Sequence, residues 1–420
     1  MQHPLPPRRV QLTSRVHTRM RRQLSRLAKR SALALLGTSL PLTSAAAFEP
    51  EIQPLLVGEA DARVHSAERV EGEDGFAIAR LRLGARAQLA PWFIAVGQAE
   101  WALEKPVLLD AYAAVRPSAE WEISMGARKT PLFASARDDV VWMLPVPERS
   151  MVTRAFWPSR DVGIEVHRFP TPSLPIEVWV RGGNGSGNVL GNDNSDYSID
   201  ARLDAAFGRA LPTASATTLL GLRLGAGVHA EAAEDRPGVR ATTADGFLFY
   251  RSPTVFGPRR VMEAHLVAFA GPVKLTAEVT YAHESRARDT DGNPATPRVS
   301  QDPINSSGMM FEVAWMAVGA WRTPGVWPTS TGSGPLPGAL EVAGRFERID
   351  LARGASDVTP GGATAGAAAV RWWATPFAAL SAAGYMTYYD LPPIESPETT
   401  YSLIGLVRAT FHIPVPRPRS

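Results

Sequence analysis

The chain contains no cysteine. That removes disulfides, zinc–thiolate sites and thiol catalysis together, and an exported chain without cysteine does not depend on the redox state of its compartment. After residue 48 there is no apolar run of eighteen residues, so no membrane-spanning helix is expected. Lysine is scarce beyond residue 47, where only Lys105, Lys129 and Lys274 occur. Catalytic spacing is missing too. His65, His167, His229, His265, His283 and His412 are scattered without H-E-x-x-H or H-x-x-x-H spacing, and neither a G-x-S-x-G elbow nor a P-loop is present. The glycine-rich GGNGSGNVLGND (182–193) lacks the Lys-Ser/Thr of a phosphate loop and the period of a calcium repeat, so it reads as an external loop. No enzymatic activity, cofactor or metal is expected.

The overall basicity has a local origin. Residues 1–47 carry eight Arg, one Lys and no acid, whereas residues 48–420 carry 35 basic against 41 acidic side chains. The body of the chain is acidic and offers no basic patch for nucleic acid. The leader has the order of an export signal: basic MRRQLSRLAKR (20–30), apolar SALALLGTSLPL (31–42), then TSAAAF (43–48). Ala45 and Ala47 fit an A-x-A cleavage site that would make Phe48 the new N-terminus, and Met20 is a candidate start codon. The expected division is an export signal over 1–47, a barrel over 48–411 and a Pro/Arg-rich tail over 412–420.

What the chain has in abundance is period-two alternation. In ARLRLGARAQL (79–89), Arg80, Arg82, Arg86 and Gln88 share one parity, and Ala79, Leu81, Leu83, Ala85, Ala87 and Leu89 the other. Successive strand side chains point to opposite faces, so this segment is apolar on one face and cationic on the other. DYSIDARLDAAF (196–207), VKLTAEVTYAHE (273–284), LLDAYAAVR (108–116) and WEISMGAR (121–128) repeat the pattern. One continuous apolar face backed by full charges suits a sheet with lipid outside and water within, closed so that every backbone N–H and C=O is paired.

Sixteen strands are expected, near 53–65, 76–89, 92–102, 107–116, 120–128, 161–169, 176–182, 197–207, 217–229, 261–269, 273–283, 307–317, 339–348, 366–373, 378–388 and 401–411. An even number suits a bacterial single-chain barrel. The apolar GFLFYRS (246–252) is assigned to a loop. Long gaps follow the odd-numbered strands and short ones the even-numbered, the asymmetry of external loops and periplasmic turns, with 103–106 and 318–338 as the two exceptions. Trp92, Trp101, Trp121, Tyr281, Tyr388, Tyr389, Tyr401 and Phe411 fall near strand ends, where aromatic girdles form.

Eight segments in series carry a resemblance: FAIARLRLGA (76–85), LLDAYAAVRP (108–117), GARKTPLF (126–133), SRDVGIEV (159–166), RGGNGSG (181–187), VKLTAEVTYAHE, MMFEVAWMAVGAWR (309–322) and PGALEVAGRFERIDL (337–351). In this order the chain resembles the phosphate/pyrophosphate-selective outer-membrane porins, the porin O and P family. The resemblance implies a sixteen-stranded transmembrane antiparallel β-barrel of the bacterial outer membrane, embedded in its lipid, commonly a homotrimer, with an inward-folded third external loop narrowing the pore. It implies passive diffusion of small anions, phosphate or pyrophosphate among them. The sequence departs from the anion-specific members in its few lysines, in Asp110, Glu122, Asp200, Asp204, Glu278 and Glu341 on the expected interior face, and in running past Phe411 into HIPVPRPRS.

For a pore the site is its narrowest stretch. The segment 129–160 is expected to bend inward, bringing Arg137, Arg149 and Arg160 to a constriction. The expected anion track combines Arg80, Arg82 and Arg86 on the wall with Arg128, Lys129 and Arg154. Arginine's planar fork matches phosphate oxygens and keeps its charge at any relevant pH. The competing arrangement pairs these arginines with Glu122, Asp110 or Asp200 across neighbouring strands. Arg160 and Asp161 read as a structural pair at a strand start. A weakly selective general pore is one alternative function; a barrel-scaffolded enzyme or a surface adhesin is another.

Overall fold

The computed structural model describes residues 48–66, 72–185, 187, 189–190, 192, 197–211, 218–291, 296–323, 338–393 and 396–413. The leader 1–47 and residues 414–420 of the tail lie outside the described residues, as does most of the long connection 318–338.

Alternation does form strands here. The chain folds as β1 (Glu51–His65), β2 (Gly75–Ala90), β3 (Phe93–Glu100), β4 (Val107–Ser118), β5 (Trp121–Lys129), β6 (Arg160–Arg168), β7 (Ile176–Gly183), β8 (Ser198–Gly208), β9 (Leu220–Pro237), β10 (Arg240–Thr242), β11 (Leu248–Arg251), β12 (Thr254–Ala270), β13 (Val273–Arg288), β14 (Val299–Val318), β15 (Ala339–Arg353), β16 (Gly361–Thr375), β17 (Ala378–Tyr389) and β18 (Tyr401–Ile413). All but β10 and β11 join one closed antiparallel barrel, β1-β18-β17-β16-β15-β14-β13-β12-β9-β8-β7-β6-β5-β4-β3-β2. These sixteen are the sixteen expected strands. The ring closes where β1 meets β18, with Glu59 opposite Thr410 and Asp61 opposite Arg408.

The two faces differ as the parity requires. Along β18, Ser402, Ile404, Leu406, Arg408, Thr410 and His412 are buried, while Tyr401, Leu403, Val407, Phe411 and Ile413 are exposed. Along β2, Leu83 and Leu89 face outward, and the Arg80 and Arg82 side chains meet carboxylates of the interior. Tight pairing of β4 with β5 explains one glycine. Gly126 has φ +132°, and a Cβ there would lie 2.2 Å from the Ala111 carbonyl oxygen, a conformation and a distance that only glycine accepts.

Several expected boundaries need correction. β9, β12, β13 and β14 run well past their expected ends, up to the twenty residues of β14. Crossing a bilayer takes about 9–11 residues, so these strands continue beyond the span of a membrane. For that reason Tyr281 sits in the middle of β13 instead of at its end, donating from Oη to Asn305 Oδ1 at 2.6 Å. Tyr389 is no girdle residue either: it is buried in the interior, one position out of phase with exposed Tyr388. His412 and Ile413 belong to β18, with His412 buried, so the barrel ends two residues later than expected. The stretch 246–252 lies outside the barrel as expected, yet it is not irregular, since β11 pairs with β10 in a separate two-stranded sheet.

Candidate functional site

The segment between β5 and β6 carries two short α-helices, Ala134–Arg137 and Met151–Phe156, with a 3-10 turn at Val141–Met143 between them. Ser150 caps the second, its hydroxyl accepting from the Thr153 amide at 2.9 Å. The polar groups of this segment are met from around the ring. Ser135 N donates to Glu278 Oε1 of β13 (2.7 Å), Lys274 Nζ of β13 to Asp139 (2.7 Å), and Arg345 of β15 to the Glu148 carbonyl (2.6 Å). Arg371 of β16 donates to the Trp142 carbonyl, Tyr385 Oη of β17 accepts from Glu148 N, and Arg408 of β18 donates to the Pro147 carbonyl. Leu132, Phe133, Val152 and Phe156 join the buried apolar cluster with Ile349 and Leu351 of β15.

The nine sequence-chosen cations divide by partner. Arg80 pairs with Glu59 and, at 2.7 Å, with Glu148; Arg82 Nε donates to Glu100 Oε2 at 2.8 Å. Arg128 is shared by Glu122 (2.9 Å) and Glu165 (3.0 Å) and stacks over the Tyr112 ring at 4.6 Å. Arg137 joins it on Glu165, and Arg160 meets Asp110 at 3.2 Å. Arg128 and Arg160 thus meet the expected Glu122 and Asp110, but not across neighbouring strands: Glu122 lies on β5 with Arg128, and Asp110 lies on β4, two strands from Arg160 of β6, while Asp200 serves Arg181 and His229 instead. Arg160 and Asp161 do not pair with each other; Asp161 accepts from the Gly185 amide.

Four of the nine make no contact with a carboxylate among the described residues. Arg86 reaches only Gln53 Oε1, at 3.4 Å. Lys129 Nζ donates to the Ala136 carbonyl at 2.7 Å. Arg149 donates to the carbonyls of Ser135, Ala136 and Asp139, and lies 5.4 Å over Trp157. Arg154 spends its donors on the carbonyls of Thr242, Thr243 and Ala244 in the β10–β11 hairpin. Burial and the neighbouring Arg160 push the Arg149 guanidinium down to about 9. Glu148 goes the other way. Burial would raise its carboxyl, but Arg80 and Arg408 outweigh that and hold it well below the usual carboxylate range.

Sequence reasoning missed the interior side chains that do most of the holding. Arg408, fully buried, takes Asp61 with two hydrogen bonds (2.6 and 2.7 Å), Glu148 and the Pro147 carbonyl. Arg202 bridges Asp204 and Asp138, with Arg223 also on Asp138. A signal existed: Arg408 stands in the parity of Ser402 and Thr410, just as Arg82 stands in that of Gln88.

Beneath the segment lies a cavity of about 200 Å3, lined by Arg86, Tyr112, Arg116, Arg128, Arg137 and Trp179 among others. Arg137 and Asp138 of the segment line it together with Arg86, Arg116 and Arg128 of the strands. No family model and no curated protein matches the sequence. Solved structures do match. The anion-selective porin from Comamonas acidovorans superposes with a TM-score of 0.54 over 87% of this chain and 100% of that one, at 10% identity. The fold is that of the bacterial outer-membrane porins. The outer membrane protein OmpT of Vibrio cholerae matches with a TM-score of 0.54, at 10% identity, over 87% of this chain and 99% of that one, in what is described as its trimer form. The outer membrane channel DcaP of Acinetobacter baumannii gives 0.52, at 10% identity, over 88% and 100%. Among the described residues of this porin-like barrel, no helix is long and apolar enough to cross a membrane, and no three His, Asp or Glu side chains gather as a metal site.

Proposed function

We propose that the chain is an exported outer-membrane porin through which small anions diffuse passively, with the 129–160 segment as its constriction. One observation carries the sign of the charge. In three ion pairs of β2–β6 the arginine is more accessible than its carboxylate, Arg82 14% against Glu100 8%, Arg116 32% against Glu122 5%, Arg128 16% against Glu165 2%, whereas Arg160 with Asp110 and Arg80 with Glu148 are about level. In those three pairs the acid sits toward the wall and the guanidinium group toward the passage. A solute passing there meets cationic edges although the ion pairs are formally neutral. Arg86, without a carboxylate, and Arg149, depressed by burial and by Arg160, add cations that an anion would relieve. The track is thus Arg80, Arg82, Arg86 and Arg128 on the wall, with Lys129, Arg137, Arg149 and Arg160 at the constriction; Arg154 serves the hairpin.

Multiple weak stations suit conduction, because a solute must leave as readily as it binds. Phosphate is one candidate solute, argued from the guanidinium fork and the family resemblance. A homotrimer in lipid is the expected assembly, supported by the trimer form of a structural neighbour. The test is planar-bilayer recording. In a potassium chloride gradient the reversal potential should lie toward the chloride value, and phosphate should reduce chloride current. A potential at zero makes it a general pore; folded protein without current removes the pore reading.

The membrane orientation has its own test. Leu83 is 42% exposed on the outer face of β2. Leu83→Arg should lower stability in lipid by about 2–4 kcal/mol, the range for arginine on the lipid face near the bilayer midplane. Urea unfolding in vesicles, followed by the loss of heat-modifiable migration, measures it.

A further inference from the structure

The connection between β9 and β12 contains the hairpin β10–β11, and its tip lies far from its root. In the ring β1 and β9 stand eight strands apart in either direction, on opposite walls. Yet Asp245, in the hairpin turn, accepts from Arg63 and lies 2.8 Å from His65 Nε2, both on the last turn of β1 before the 66–74 connection. The hairpin thus spans the diameter at the end of the barrel that carries the long connections. Its middle is fastened by Arg154, which donates to the carbonyls of Thr242 (2.6 Å) and Ala244 (3.0 Å). Apolar packing runs along it, with Val239, Ala241, Phe247 and Phe249 in one buried cluster with Val152, Phe156 and Tyr389, and Ala244 packed against a second that holds Val146 and Tyr385.

We propose that this hairpin is a strap setting the size limit of the pore, and that Asp245 is the positioning residue that keeps its free end seated. The inference rests on the pore reading above. Two strands of three and four residues are not stable alone, so the strap's position depends on what holds it. Apolar packing and Arg154 hold the body of the hairpin, and its contact with β1 is charged, with Arg63 shared between Asp245 and Asp61 and with His65 placed between Asp245 and Asp74. Loss of the Asp245 carboxylate therefore releases the hairpin from β1 while its body stays packed, widening the opening on the β1 side without dismantling the barrel.

The experiment compares wild type, Asp245→Ala and Asp245→Asn in bilayers and in liposome swelling. Both variants should raise single-channel conductance above that of wild type, and should speed entry of a trisaccharide far more than entry of a monosaccharide. Because the chain has no cysteine, an Arg63→Cys/Asp245→Cys pair joined by a short bis-maleimide isolates the strap. Joined protein should return to the wild-type conductance and the unjoined pair should not. Equal trisaccharide-to-monosaccharide ratios in wild type and both variants, or no effect of joining, overturns the strap while the pore reading stands. A folded wild type that carries no current overturns both.

Discussion

Replacing Arg408 with alanine should cost about 3–5 kcal/mol, the usual penalty for removing one partner of a buried ion pair. Its guanidinium is fully buried and bonds Asp61, Glu148 and the Pro147 carbonyl at once. Without it, Glu59 and Asp61 of β1 and Glu148 of the constriction segment become a cluster of acids in a dry environment, with Arg80 and Arg63 as their remaining cations. The same residue sits across the β1–β18 seam, so the barrel should open where it closes. The readout is the midpoint of urea unfolding in detergent, alongside channel noise from a constriction segment that has lost one tether. An unchanged midpoint would mean that neighbouring charges or water replace Arg408, and the tether account would fail.

The double variant Arg82→Glu/Arg128→Glu should show the second large effect. Each substitution places a carboxylate beside the one that its arginine now holds, Glu100 for Arg82 and Glu122 with Glu165 for Arg128. The passage along β2–β6 then changes from cation-edged to anion-edged, and reversal potential in a salt gradient should move from the chloride side to the potassium side. Conductance should persist, because neither side chain hydrogen-bonds the 129–160 segment among the described contacts, Arg82 meeting it only over the Trp142 ring at 5.9 Å. Should ion preference stay where it was, the solute path does not run along this wall. Salt sets the scale: the shift should shrink as ionic strength rises and the Debye length falls to about 3 Å near 1 M.

The same physics explains what was legible beforehand. Arg80, Arg82, Leu83 and Leu89 announced their faces because strand parity is a local property, fixed by φ and ψ within a few residues. Strand number followed from counting such segments, and closure from the requirement that no edge be left unpaired in lipid. Strand ends were less legible. Past the roughly 9–11 residues that a bilayer would require, β13 and β14 continue as ordinary paired strands, so the sequence there carries no signal of where pairing stops. The inversion of Tyr388 and Tyr389 is the smallest case: both aromatics looked equally suited to a girdle, and only parity at the end of β17 separates them.

Alternation by itself determined a closed antiparallel barrel of sixteen strands, with arginine on the inner face of β2 and leucine on the outer. Tertiary structure decided which acid each arginine meets, since Glu59 and Glu148 reach Arg80 across 21 and 68 residues and Asp61 and Glu148 reach Arg408 across 347 and 260. It also decided that the β10–β11 hairpin crosses to the opposite wall. Local backbone geometry fixes which way a side chain points, but which charge waits there depends on ring closure, and that is written nowhere in a short stretch of chain.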